Sequence, residues 1–293
     1  MAYDGTGSDG TPSQGTGSGD TPPEGTGSGD TPNDGTGPGG TGSPDEQRPV
    51  GMAASSRGIW TFTADVDLLR RLAAAGFDWV AVDAQHGPVD RAALHAAGRG
   101  LAGAGAALVV RVPAVDPVWI GAALDAGAAA VIVPSVNGRA DAVLAARASR
   151  YPPEGERSWG PFAPLWGGEA ADPVTANATI RCLAMVETPG ALEDVDAIAA
   201  TPGVDGLFVG PFDLALALGT TVDRLLDDTG PGAPLPRVVA AAQRHGILVA
   251  AFAGSPANAH RLRAHGISCL AVTTDVAVVA AGAAATLAAD DRG

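Results

Sequence analysis

From residue 57 onward, short and nearly unbroken apolar runs alternate with longer segments rich in Ala and Leu. The short runs cover 57–62, 79–84, 108–112, 130–135, 182–187, 206–210, 247–252 and 269–274. Between and after them, 64–75, 90–102, 117–126, 139–149, 190–200, 235–245, 256–265 and 276–289 have helical composition. Strands that are apolar on both faces and alternate with helices predict a parallel sheet covered by helices. Eight such strands in about 245 residues predict a closed (β/α)8 barrel, a TIM barrel. Glycines at 76, 127, 246 and 266 fall where helices should end in a left-handed residue. No G-x-G-x-x-G follows a strand and opens a helix, which argues against a dinucleotide-binding sheet. The connection 151–180 is unusually long and rich in Pro, Trp and Gly, as expected of a lid or a subunit contact.

Residues 1–48 lack this pattern. A ten-residue unit recurs from Gly5 (GTGSDGTPSQ, GTGSGDTPPE, GTGSGDTPND), and the stretch contains no Val, Ile, Leu or Phe. Nothing in it can offset the entropy of ordering, so a disordered, solvating acidic tail is expected before a single barrel domain at 49–293. Calcium-binding β-roll repeats need a roughly nine-residue period with a large apolar residue. The tail also lacks the basic start and apolar run of a targeting peptide.

The chain carries 18 basic and 32 acidic residues, and eight of the acidic ones lie in the tail. The barrel segment is therefore only mildly acidic and has no basic cluster, which argues against nucleic acid or an anionic membrane as partner. No apolar stretch approaches the roughly 20 residues that cross a bilayer. Cys182 and Cys269 sit in strand runs without metal-ligand spacing and read as core thiols of a cytoplasmic protein. All 18 basic residues are arginine. Without lysine there is no Schiff base and no Walker-type phosphate loop, so lysine-dependent aldolases and pyridoxal-phosphate enzymes are excluded.

Barrel chemistry sits at the C-terminal ends of the strands. Strand two ends in Asp83-Ala84-Gln85-His86, strand three in Arg111, strand four in Ser135, strand five in Glu187-Thr188, and strand six in Gly210-Pro211-Phe212-Asp213. Glu187 and Asp213, on adjacent strands, suit a hard divalent cation such as Mg2+ or Mn2+. The competing reading makes them ordinary helix N-terminal carboxylates. His86 is placed as a general base with Asp83 fixing its tautomer, or else as a structural turn residue. Arg111 either clamps a carboxylate or enolate, or pairs with a barrel carboxylate. His95, His245, His260 and His265 lie on helical segments and read as surface residues.

Taken in order, the motifs resemble the HpcH/HpaI family of metal-dependent 2-oxo-acid aldolases. They are F-D-W-V-A-V-D-A-Q-H-G-P at 77–88, V-V-R-V-P at 109–113, D-P-V-W-I at 116–120, D-A-G-A-A-A-V-I-V-P at 125–134, R-Y-P-P-E-G-E-R-S-W-G at 150–160, V-E-T at 186–188 and V-D-G-L-F-V-G-P-F-D-L at 204–214. The resemblance runs from 57 to about 289 and has no counterpart for the tail. It implies metal ligands at Glu187 and Asp213, with Mg2+, Mn2+ or possibly Co2+ as the metal. It also implies a catalytic histidine at His86 beside Asp83, an enolate-binding arginine at Arg111, and substrate held near Ser135, Gly210, Pro211 and Phe212. It implies cleavage of 4-hydroxy-2-oxo acids into pyruvate or a related oxo acid and an aldehyde. The implied assembly is a homohexamer, a trimer of dimers that exchange their C-terminal helices.

Three positions depart from the family pattern: Gln85 stands for an acidic residue, Met185 for an amide, and Phe212 for a small residue. The first two remove a charge and an amide from around the metal, a kind of change that costs about 10 to 100-fold. The third should narrow the pocket. Two alternatives stay open: a related lyase acting on a malyl or citramalyl thioester, and a barrel that binds an oxo acid without turning it over.

Overall fold

Strands that are apolar on both faces need cover inside and outside; closure into a barrel supplies the first and the surrounding helices the second. The strands are β1 Arg57–Thr61, β2 Trp79–Asp83, β3 Ala107–Arg111, β4 Ala130–Val133, β5 Arg181–Val186, β6 Gly206–Val209, β7 Leu248–Phe252 and β8 Cys269–Thr274. They come from a computed structural model that describes residues 51–160 and 169–291. Every pairing is parallel between sequence neighbours, and β8 returns to β1, so the fold is the expected (β/α)8 barrel. The tail at 1–48 lies outside the described residues.

Alternate residues split into two cores. Trp60, Ala81, Val109, Ile132, Leu183, Met185, Phe208 and Ala250 fill the barrel interior. Ile59, Val82, Val110, Val131, Val186 and Val209 face outward into the layer beneath the helices. Each fully buried aliphatic or aromatic side chain of this kind stabilises the fold by about 1.5–3 kcal/mol.

The helices are α1 Val66–Ala74, α2 Arg91–Leu101, α3 Pro117–Asp125, α4 Arg139–Ser149, α5 Pro173–Thr179, α6 Pro189–Glu193, α7 Val195–Ala199, α8 Pro211–Ala217, α9 Val222–Asp227, α10 Pro234–His245, α11 Pro256–Ala264 and α12 Asp275–Asp290. Side chains of Asp65, Asp90 and Asp116 cap α1, α2 and α3 by accepting from backbone N–H groups. Such caps contribute about 1 kcal/mol each. Gly76 and Gly246 take the expected positive φ, 94° and 65°.

Three helical expectations change. The segment expected as one helix at 190–200 is two, α6 and α7, broken at Asp194, whose carboxylate turns away to accept the Arg139 N–H at 2.7 Å. The long connection 151–180 contains α5, capped by Asp172. The stretch between β6 and β7 holds the short helices α8 and α9. Cys182 and Cys269 are buried free thiols, and burial pushes each up to about 11. Among the described residues no helix is long and apolar enough to cross a membrane.

Candidate active site

The period of two that fills the interior also aims the polar residues. Asp83 ends β2 two residues beyond Ala81, Arg111 ends β3 two beyond Val109, and Glu187 follows β5 two beyond Met185. Gly210 and Phe62 stand in the same relation to Phe208 and Trp60. All share the inward parity, so they converge on the mouth at the C-terminal ends of the strands.

Asp83 and Arg111 are direct cross-strand partners in the β2–β3 register. Arg111 Nε donates to Asp83 Oδ1 at 2.9 Å and Nη2 to Oδ2 at 2.5 Å. Trp60 Nε1 donates to Oδ2 at 3.3 Å, and the backbone N–H groups of Gln85 and His86 reach Oδ1 at 3.0 and 3.3 Å. Burial opposes ionisation of Asp83, but Arg111, helped by Trp60 and the His86 N–H, outweighs it and holds the carboxyl below 3.8.

This alters the expected role of Asp83. Its bond to His86 runs to the backbone N–H, so the carboxylate fixes the turn that carries the imidazole rather than its tautomer. Arg111 forms the barrel ion pair that was its competing reading, and its guanidinium also lies 5.0 Å from the centre of the Trp60 ring. The pair uses two of the five guanidinium N–H bonds. The others have no protein acceptor among the described residues, and Arg111 lines the mouth cavity.

Glu187 is buried, with 6% of its surface exposed. Its Oε1 accepts the Ser135 backbone N–H at 2.6 Å, and Ser135 adopts a left-handed φ of 54°. Few non-glycine residues do so, and such backbone carries strain. Glu187 does not cap the helix after it: α6 is capped by Thr188, which accepts the Ala191 N–H at 3.0 Å. Asp213 is exposed in the first turn of α8, and no side chain caps that helix. A Cβ at Gly210 would lie 2.5 Å from Met185 Cε and 3.0 Å from Glu187 Oε2, so glycine keeps the space beside the carboxylate open.

Burial raises the Glu187 carboxyl above 4.5 against the pull of the Ser135 N–H, and the charge of Asp213 pushes it further the same way. A cation between the two would relieve both effects. Among the described residues no three or more His, Cys, Asp and Glu side chains gather as a metal cage. This pair of carboxylates could hold a hard divalent ion that completes its shell with water and substrate oxygens.

Two hollows meet here. A groove of about 350 Å³ is lined by Gln85, His86, Ser135, Glu187, Thr188 and Asp213. A cavity of about 180 Å³ is walled by Trp60, Phe62, Met185, Phe212 and Phe252, with His86, Arg111 and Asp213 also on its lining. His86 and Asp213 belong to both. Phe212 packs on Phe252 with ring centres 5.7 Å apart, and Phe252 packs on Trp60 at 5.2 Å. Pro211 is buried at the start of α8. Gln85 Oε1 is buried without a hydrogen-bond partner among the described residues.

The sequence reading missed Trp60, Phe62 and Phe252. Extending each interior stripe by two residues would have found Phe62 and Phe252. His245 and His260 are exposed as expected, whereas His265 is half-buried with Nε2 2.8 Å from the Leu226 carbonyl oxygen.

The HpcH/HpaI aldolase/citrate lyase family model matches residues 57–281. The 4-hydroxy-2-oxovalerate aldolase of Novosphingobium aromaticivorans is 39% identical over 65% of this chain and 74% of its own. The 5-keto-4-deoxy-D-glucarate aldolase of Salmonella arizonae is 36% identical over 77% and 88%. A solved HpcH/HpaI aldolase/citrate lyase family protein from Burkholderia cenocepacia superposes with a TM-score of 0.72 at 34% identity, over 82% of this chain and 95% of that one. With the family pattern running through nearly the whole barrel and both of these curated relatives named as aldolases, the chain belongs to the HpcH/HpaI aldolase/citrate lyase family and is a carbon–carbon lyase.

Proposed function

We propose that this enzyme is a divalent-metal-dependent aldolase that reversibly cleaves 4-hydroxy-2-oxo acids into pyruvate, or a related 2-oxo acid, and an aldehyde. The observation that carries this reading is the gathering of Glu187, Asp213, His86 and Arg111 around one mouth in a chain without lysine. The names of the two aldolase relatives support the substrate class.

Glu187 and Asp213 would hold Mg2+, Mn2+ or Co2+, which supplies Lewis acidity to a ketone oxygen. Arg111, fixed by Asp83 and Trp60, points its unused N–H bonds toward the oxo acid and carries enolate charge. His86, on the turn that Asp83 holds, takes the proton of the C4 hydroxyl directly or through a water, and returns it in the condensing direction. Ser135 holds Glu187 in place, and Gly210 forms the bed on which the oxo acid lies, while Pro211, buried at the start of α8, backs it without lining either hollow. Phe212 closes the lip.

The rest of the chain supports a homohexameric, cytoplasmic reading. In α12 every residue after Asp275 is exposed, Val276, Val279 and Leu287 by 63%, 63% and 66%. An apolar helix left uncovered supports an exchange of C-terminal helices between subunits, in the homohexamer that the family resemblance implies. Two buried free thiols suit a reducing cytoplasm.

The test is metal removal. Exhaustive EDTA treatment should abolish cleavage, and Mg2+, Mn2+ or Co2+ should restore it, while borohydride with pyruvate traps no side-chain adduct. Full activity in metal-free protein would overturn the mechanism. Turnover of a malyl or citramalyl thioester in place of hydroxy-oxo acids would move the assignment to the related lyase.

A further inference from the structure

We infer that the aldehyde partner is apolar, with its chain packed against the exposed ring of Phe212, and that aldehydes bearing a carboxylate or several hydroxyls are disfavoured. This rests on the aldolase reading above and specifies its second substrate.

The first argument is the shape and lining of the 180 Å³ cavity. Its deep wall is Trp60 and Met185, each only 2% exposed. Its outer wall is aromatic: Phe62 and Phe252 are half-buried, and Phe212 is 45% exposed. The Phe212 ring is braced by Phe252, which is braced in turn by Trp60. The opening thus presents a fixed apolar face beside the reacting groups, His86, Arg111 and Asp213.

The second argument is charge. Among the described residues Arg111 is the only arginine on the cavity lining, and it is already in a bidentate pair with Asp83. Its remaining N–H bonds are needed by the oxo acid. A second carboxylate, at the far end of the aldehyde, would find no arginine of its own among the described lining residues, the metal held by Glu187 and Asp213 being taken up by the oxo acid. Burying a charge without a partner is costly. Extra hydroxyls fare little better, since the aromatic walls offer no free donor or acceptor, the Trp60 indole N–H being taken by Asp83, and the lining's polar groups serve the reacting atoms.

The experiment uses the full chain loaded with Mg2+ or Mn2+. Deuterium exchange of the pyruvate methyl group in D2O, followed by NMR, reports oxo-acid activation without any aldehyde. Condensation of pyruvate with pentanal, succinic semialdehyde and erythrose then compares an apolar, an anionic and a hydroxylated chain of similar length. Exchange should proceed, and kcat/KM for pentanal should exceed the other two by roughly tenfold or more, the scale at which a few apolar contacts discriminate. In Phe212→Ala the ratio of pentanal to succinic semialdehyde should fall toward unity, and Phe212→Leu should keep most of it. Because the readout is a ratio within each variant, a general loss of activity does not mask it, and the wild-type panel stands even if a variant does not fold. Exchange with equal or better use of the anionic or hydroxylated aldehyde would overturn the inference while leaving the aldolase reading intact. No exchange in the metal-loaded enzyme would overturn both.

Discussion

The two ends of the barrel interior each hold a buried tryptophan whose indole N–H meets an oxygen acceptor, and they differ in everything else. At the N-terminal end Trp79 donates to Ser56 Oγ at 3.1 Å, Ser56 donates to the Ala53 carbonyl at 2.8 Å and stands 3.2 Å from Cys269 Sγ. Gly58 makes room for the Trp79 ring, since a Cβ there would overlap it. These groups are neutral, and the Trp79 and Ser56 side chains are partnered. At the C-terminal end Trp60 donates to Asp83, a carboxylate already paired with Arg111, and around them lie unused valences, guanidinium N–H bonds and Gln85 Oε1, beside the strained backbone of Ser135 that holds Glu187. One end spends its polar groups on closing the barrel. The other keeps its charges partly unspent, which costs stability and leaves them free for a ligand.

The largest effect that would break or sharpen this contrast is in activity at the open end. His86→Ala should lower kcat by about 10² to 10⁴-fold. Because His86 is exposed, the melting temperature should stay within a degree or so of the parent, and turnover within threefold of wild type would remove His86 from the mechanism. Next comes Asp83→Ala, which leaves Arg111 buried without its counter-charge. Denaturant unfolding should show a loss of about 3–5 kcal/mol together with a loss of activity. A stability change below about 1 kcal/mol would mean that Arg111 finds another partner at once.

Ser56→Ala acts at the closed end and strands the Trp79 indole N–H, so about 1–3 kcal/mol of stability should go. The kcat value should not move; if it falls, the two ends are coupled and the division fails. The smallest effect is acid sensitivity. Asp83 is depressed below 3.8 in the folded state, so its contribution is fully present above that value and is lost as pH falls through the lowered one. Stability measured between pH 5 and 2 should drop less steeply in Asp83→Asn than in wild type, and parallel curves would show that other carboxylates dominate.

What could be read from the chain was what local rules control. Apolar runs placed all eight strands within a residue or two, because strand period, helix caps and turn glycines are set by near neighbours. The strand-end carboxylates and the missing lysine were legible for the same reason: each is a property of a few adjacent positions or of the composition. The short helices α5, α8 and α9 were not, since helices of that length owe their stability to packing more than to propensity. Nor was the break at Asp194, whose partner Arg139 lies on a different helix.

The candidate site divides along the same line. Which residues stand at strand ends was determined by the sequence alone. That Asp83 would pair with Arg111 and hold His86 only by its backbone was decided by the register of β2 against β3. That Trp60, Phe62, Met185, Phe212 and Phe252 would meet in one cavity was decided by barrel closure, which brings together side chains from three strands and a helix. Such contacts depend on distances between segments far apart in the chain, and only the folded barrel specifies those distances.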